Sequence, residues 1–255
     1  MNSNKIYPGE KIKWGEIFIF YCVSILVSAP FRLHLIKMDQ IYPLPYGLDI
    51  VYRILRGIGP AIGFLIIYYL LKSKVDKKLS FWGFNKWYSI LAIIIIPMSL
   101  TITGVNNADG LDHHYYGFLT GMILIFYALG EEFGWRGYLQ QALEPMKMPY
   151  RILLIAILWY VWHLNFLIPE ITLKSHLIHF SFLLLGSWGL LKISESTSSI
   201  LFVSAVHLAF NILSDVELPG QVKIMIVLLA AIVWTALIIL LHKNRAKFNQ
   251  ISALG

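Results

Sequence analysis

The chain has 255 residues, 58% of them hydrophobic and 14% charged, with a formal net charge of +7. A soluble domain carries about 25% charged residues, so an ordinary water-solvated domain is excluded. The positive charge does not point to nucleic acid, because it flanks apolar runs (Lys72, Lys74, Lys77 and Lys78; Lys243, Arg245 and Lys247) and forms no basic stripe interleaved with exposed aromatics. The one cysteine, Cys22, lies in an apolar run and reads as a small buried hydrophobe, which leaves no intrachain disulfide and no cysteine metal cluster.

A helix needs about 20 residues to cross the hydrocarbon core of a bilayer. Eight candidate runs follow one another: about 15–36, 54–72, 88–105, 115–142, 150–168, 175–192, 198–214 and 222–242. Lys5, Lys11 and Lys13 precede the first, as in a signal peptide. Pro30-Phe31-Arg32 follows in place of a small-residue cleavage pattern, so the run reads as an uncleaved span. The stretch 31–56, with Pro30, Pro43 and Pro45, reads as a loop or an interfacial segment. The fourth run is long and ends amphipathically around Tyr138 to Leu143.

The expected fold is therefore all-α, a polytopic membrane bundle of about eight transmembrane helices. It forms a single integral membrane domain over 1–255, with its motif-bearing core at about 120–214. No internal repeat, low-complexity tract, P-loop or dinucleotide fingerprint is present. Basic connections near Lys72–Lys86, Lys147–Arg151 and Lys192 alternate with acidic ones at 106–114 and 215–217. That alternation places the chain in the cell membrane with both termini cytoplasmic. Lys37, Arg53 and Arg56 in the first loop break the pattern.

The exceptions inside the apolar runs carry the chemistry. Glu131 and Glu132 lie about 15 residues into the fourth run, and Arg136 follows one turn after Glu132. An ionisable group near the bilayer centre costs about 2.5–3.5 kcal/mol on insertion scales, so such groups face the bundle interior. A buried ion pair accounts for one glutamate only. Adjacent residues point about 100° apart on a helix, so the second glutamate faces another surface. His163 lies in the fifth run; His207 and Asn211, one turn apart, lie in the seventh. Three runs thus each bring polar groups that are costly if left unpaired, and they are expected to meet.

A carboxylate and a histidine activate water by general-base catalysis. A histidine beside an asparagine donates hydrogen bonds to a developing oxyanion. Two histidines and a glutamate also make a hydrolytic zinc set, although the local H-E-x-x-H spacing is missing. His113 and His114 are expected in a solvated outer loop, and His176 and His179 near the interface. His34 and His242 fall near run ends.

Glu131-Glu132-Phe-Gly-Trp-Arg136-Gly137 resembles the E-E-x-x-x-R-G signature of the CAAX-protease and bacteriocin-processing family, also called CPBP or ABI. Trp159-x-x-x-His163 resembles its second motif, with Trp159 where phenylalanine is common, and His207-x-x-x-Asn211 its third. The resemblance implies an intramembrane endopeptidase of the eight-helix type that trims prenylated C-termini in eukaryotes. Carried over, Glu131 is the base on water, assisted by His163, and His207 and Asn211 form the oxyanion hole. Glu132 and Arg136 support the site, and no metal or other cofactor is used. The implied partners are the bilayer and a membrane-associated peptide precursor, such as that of a bacteriocin or signalling peptide, with no nucleic acid. Two other readings remain: a non-catalytic scaffold or bacteriocin-immunity protein of the same fold, and a proton-coupled transporter, since intramembrane Glu and His also build proton relays.

Overall fold

The structure, a computed structural model, describes residues 11–36, 48–73, 78–107 and 110–252. Among them the regular structure is helical, apart from one isolated bridge between Ser80 and Ser199. The helices are α1 (Trp14–Arg32), α2 (Leu48–Gly57), α3 (Gly59–Leu65, extended by a π turn Ile66–Leu70), α4 (Lys86–Thr103), α5 (His113–Gly134), α6 (Met148–Trp162), α7 (Leu173–Thr197), α8 (Ile200–Asp215) and α9 (Gly220–Ser252). A π turn, Trp135–Leu139, and a short helix, Gln140–Ala142, continue α5. Pro43, Pro45 and Lys37, in the stretch expected to be loop or interfacial, lie outside the described residues.

Five described segments are long and apolar enough to cross a membrane: Trp14–Arg32, Lys86–Thr103, His113–Ala142, Leu173–Thr197 and Gly220–Ala246. The other three expected runs form shorter apolar helices, Gly59–Leu70, Met148–Trp162 and Ile200–Asp215. Their shortness has local causes. The second run starts only at Gly59, because Pro60 occupies the first turn of α3 and a proline breaks any helix entering from before it. The fifth run stops at Trp162, where Leu164 turns left-handed (φ 59°) into a 3-10 turn, Asn165–Leu167. His113 and His114 are in the first turn of α5 rather than in a loop. Asp112 accepts from the amides of His114 and Tyr115 and so fixes the helix start.

Glycines place α5 at the centre. A Cβ on Gly117 would meet the Leu100 carbonyl oxygen of α4 at 2.2 Å, and one on Gly121 would meet Pro97 Cα at 2.6 Å. On the opposite side, Gly130 abuts the Gly57 carbonyl and Gly134 abuts Pro60, with a hypothetical Cβ 2.3 Å from Pro60 Cβ. Gly59 and Gly63 seat α3 on the Ser24 and Phe20 carbonyls of α1. Small residues four apart let helix backbones approach, which is how helices associate where lipid gives no hydrophobic drive between them. Helix α8 is buried on most of its surface, and its start is fastened by Ser199, whose hydroxyl accepts from the Phe202 amide and donates to the Phe81 carbonyl.

Gly134→Ala is expected to lower stability by about 1–3 kcal/mol, the usual cost of overpacking. Gly189→Ala lies in the interior of α7 with nothing within 4 Å, and is expected to be neutral or stabilising by up to about 1 kcal/mol. Thermal unfolding in detergent compares the two.

Candidate active site

The two glutamates of α5 take different surroundings. Glu132 is fully buried, and its Oε1 accepts from Arg136 Nη1 at 2.9 Å. The same oxygen lies 2.6 Å from His207 Nδ1, where the ring nitrogen is the donor to the carboxylate. Arg136 also donates to the Gly186 carbonyl of α7 (3.4 Å) and stacks over the Trp159 ring, 4.5 Å from its centroid. One carboxylate thus ties α5, α8 and, through its arginine, α7. Such a group is stable in a low-dielectric interior only when paired and hydrogen-bonded.

Glu131 is 1% exposed and points elsewhere. Its Oε2 accepts from two indoles, Trp159 at 2.6 Å and Trp135 at 3.3 Å. Its Oε1 lies 3.9 Å from Arg32 Nη2 of α1. Arg32 is itself buried. It donates to the Arg56 carbonyl and to the Tyr127 hydroxyl, both at 3.1 Å, and lies 3.6 Å over the Trp162 ring. Phenylalanine at position 159 has no N–H, so the tryptophan supplies a bond that the commoner residue cannot.

His163 caps the end of α6 instead of lying within a span. Its Nδ1–H donates to the Trp159 carbonyl at 2.8 Å, which leaves Nε2 as an acceptor. His179 packs edge-on against it, with ring centroids 4.7 Å apart, and faces the side-chain amide of Asn165 (3.2 Å). A cavity of about 650 Å³ collects these groups. Glu131, His163, His207 and Asn211 line it, together with Arg32, Tyr127, Trp159 and His179; Glu132 and Arg136 do not. Asn211 Nδ2 is buried there without a hydrogen-bond partner. Among the described residues, no three His, Cys, Asp or Glu side chains converge as a metal-binding group.

The geometry can be set beside known proteins. Residues 114–213 match the family model described as type II CAAX prenyl endopeptidase Rce1-like. The motif-bearing core is thus similar to Rce1-like endopeptidases, which agrees with the resemblance read from the three motifs. Together with the apolar helices, this indicates a multi-pass membrane protein. No curated protein and no solved structure matches the chain.

Three cavity residues are not singled out by the sequence. Arg32 belongs to a helix expected to be a plain span and lies outside the Rce1-like segment, and Tyr127 lies one turn before Glu131 in no motif. His179, expected near the interface, lines the cavity. Its only signal is the His176-x-x-His179 spacing, which puts two imidazoles on one face at the start of α7.

Arg136→Ala leaves Glu132 short of its buried counter-charge and is expected to cost about 3–5 kcal/mol. Replacing the pair together, Glu132→Leu with Arg136→Met, is expected to recover part of that loss. Unfolding midpoints in one detergent measure both.

Proposed function

We propose that the chain is an intramembrane endopeptidase of the cell membrane that hydrolyses a peptide bond of a membrane-associated peptide or protein precursor without a metal. The single observation that supports this is the sorting of the six motif residues. The four that would meet substrate, Glu131, His163, His207 and Asn211, share one cavity wall, and Glu132 and Arg136 lie behind it. A non-catalytic scaffold has no need of that separation.

In this reading, Glu131 takes a proton from water as the water oxygen attacks the carbonyl carbon, and later returns it to the departing amine. The two indole N–H groups occupy Oε2 and so turn the free Oε1 toward its work as base, near Arg32. His163 Nε2 accepts the second water proton in a hydrogen bond. The developing oxyanion takes hydrogen bonds from Asn211 Nδ2 and His207 Nε2. For His207 to donate there, both ring nitrogens must carry protons, and the Glu132 carboxylate on Nδ1 supplies the counter-charge. Glu132 and Arg136 orient that ring. Substrates are short peptides lying in or on the bilayer, such as the precursor of a bacteriocin or a signalling peptide.

Purified protein incubated with candidate precursor peptides tests the reading. Glu131→Ala is expected to abolish cleavage, and Asn211→Ala to lower kcat about 10²–10³-fold, as loss of one oxyanion donor does. A chelator is expected to leave the rate unchanged; loss of activity on chelation would mean a metal enzyme. Biological activity preserved in folded Glu131→Ala would point to the scaffold role.

Trp159→Phe keeps the ring but removes one N–H to Glu131. A hydrogen bond to a charged group contributes about 1.5–3 kcal/mol to stability, so the unfolding midpoint is expected to fall, and the rate of the folded variant to fall about 10–100-fold as the base loses its orientation. A merely structural tryptophan would lower the midpoint and leave the rate of the folded variant in place.

A further inference from the structure

The cavity lies toward one end of the bundle. It is lined by the C-terminal parts of α1, α2, α6 and α8 (Arg32, Arg56, His163, Asp215) and by the N-terminal half of α7 from Ser175. At this end the described connections carry Asp112, Glu170, Asp215 and Glu217, with Lys174 and Lys223 their only described lysines. Of the three described arginines at this end, Arg32 and Arg56 line the cavity and are not loop charges, which leaves Arg53 of α2 as the exception.

The opposite end is basic. Lys13, Lys78, Lys86, Lys147, Arg151 and Lys243 are found there. Its acidic residues are largely neutralised: Glu16 pairs with Lys13, Glu144 with Lys78, and Glu195 with Arg151. Lys and Arg in short connections mark the cytoplasmic face. Assigning Arg56 to the site also removes one of the charges that broke this rule in the first loop.

We infer that the cavity opens on the non-cytoplasmic side, and that its substrate is a peptide presented from the outer leaflet after translocation, not a cytoplasmic C-terminus. The substrate part of this rests on the peptidase reading; the sidedness does not. Ile178 and Phe182 of α7 line the cavity and are half-exposed. The lining on that side is therefore apolar, and it suits a peptide that lies among lipid chains with its scissile bond turned inward. A translocated, amphipathic precursor has that chemistry; a water-soluble cytoplasmic tail does not.

Cysteine accessibility tests the inference without any need for activity. In a Cys22→Ser background, single variants Ser175→Cys at the cavity mouth, Glu217→Cys in the same end's α8–α9 connection and Lys147→Cys at the basic end are exposed to a membrane-impermeant maleimide. In intact cells, Ser175→Cys and Glu217→Cys are expected to label fully, and Lys147→Cys only after permeabilisation. Labelling of Lys147→Cys in intact cells, with the other two protected, would overturn the inference. So would protection of Ser175→Cys while Glu217→Cys labels, because the cavity mouth would then not share the outer face. Failure of the catalytic reading shows up separately, as unchanged cleavage in Glu131→Ala.

Discussion

A single carboxylate, that of Glu132, organises this membrane bundle. Uncompensated, it would cost several kcal/mol or more in a medium of low dielectric constant. It is held by Arg136 one turn along the same helix and by His207 from α8, and Arg136 reaches on to the Gly186 carbonyl of α7. Removing any member strands the charge of another. Three helices are therefore locked in register at the depth where the cavity forms, and lipid-facing apolar contacts alone cannot give such precision. Small residues then allow the approach that the ion pair demands. Gly130 and Gly134 let α5 press on α2 and α3, and Gly117 and Gly121 let it press on α4.

In the peptidase reading, the adjacent glutamate is left free for chemistry because its neighbour has absorbed the structural task. The helical step separates the two side chains. Glu131 meets two indoles and a more distant guanidinium instead of a close salt bridge. For a base, a tight bidentate arginine would be quenching, whereas here neutral N–H donors hold Oε2 and Oε1 lies 3.9 Å from Arg32. Trp159 has three roles here: its indole binds Glu131, its carbonyl orients His163, and its ring faces Arg136. A substitution that looks mild in the motif is therefore coupled to three of the polar groups.

The apolar runs and the order Glu-Glu-Arg, His, His-Asn were legible in the sequence, because hydropathy and motif spacing are local along the chain. The divergence of Glu131 from Glu132 was legible too, from the 100° step. What was not legible depends on tertiary neighbours. Arg32 reads as an ordinary residue after Pro30 until α1 is laid beside α5. His179 reads as interfacial until the end of α6 brings His163 against it. The Gly117/Gly121 and Gly130/Gly134 spacings were present in the sequence, but not which helices they accept. The break at Leu164 had no glycine or proline to announce it.

In the peptidase reading, that break serves hydrolytic chemistry at membrane depth. A continuous helix presents no free polar backbone and no space for water, so a site needs a place where the backbone departs from helix and lines a cavity. Helix α6 stops at Trp162, and the left-handed residue Leu164 carries the chain into a short turn that sets Asn165 on the cavity wall. Helix α8 is short and ends at Asp215, which also lines the cavity. These two helices are too short to cross by themselves because they end at the polar cavity they help to build. Their missing length is replaced by its polar wall, and the long helices α1, α4, α7 and α9 present the more exposed apolar faces around α5. The mismatch between eight apolar runs and five full-length helices thus falls mainly on the helices that carry His163, His207 and Asn211.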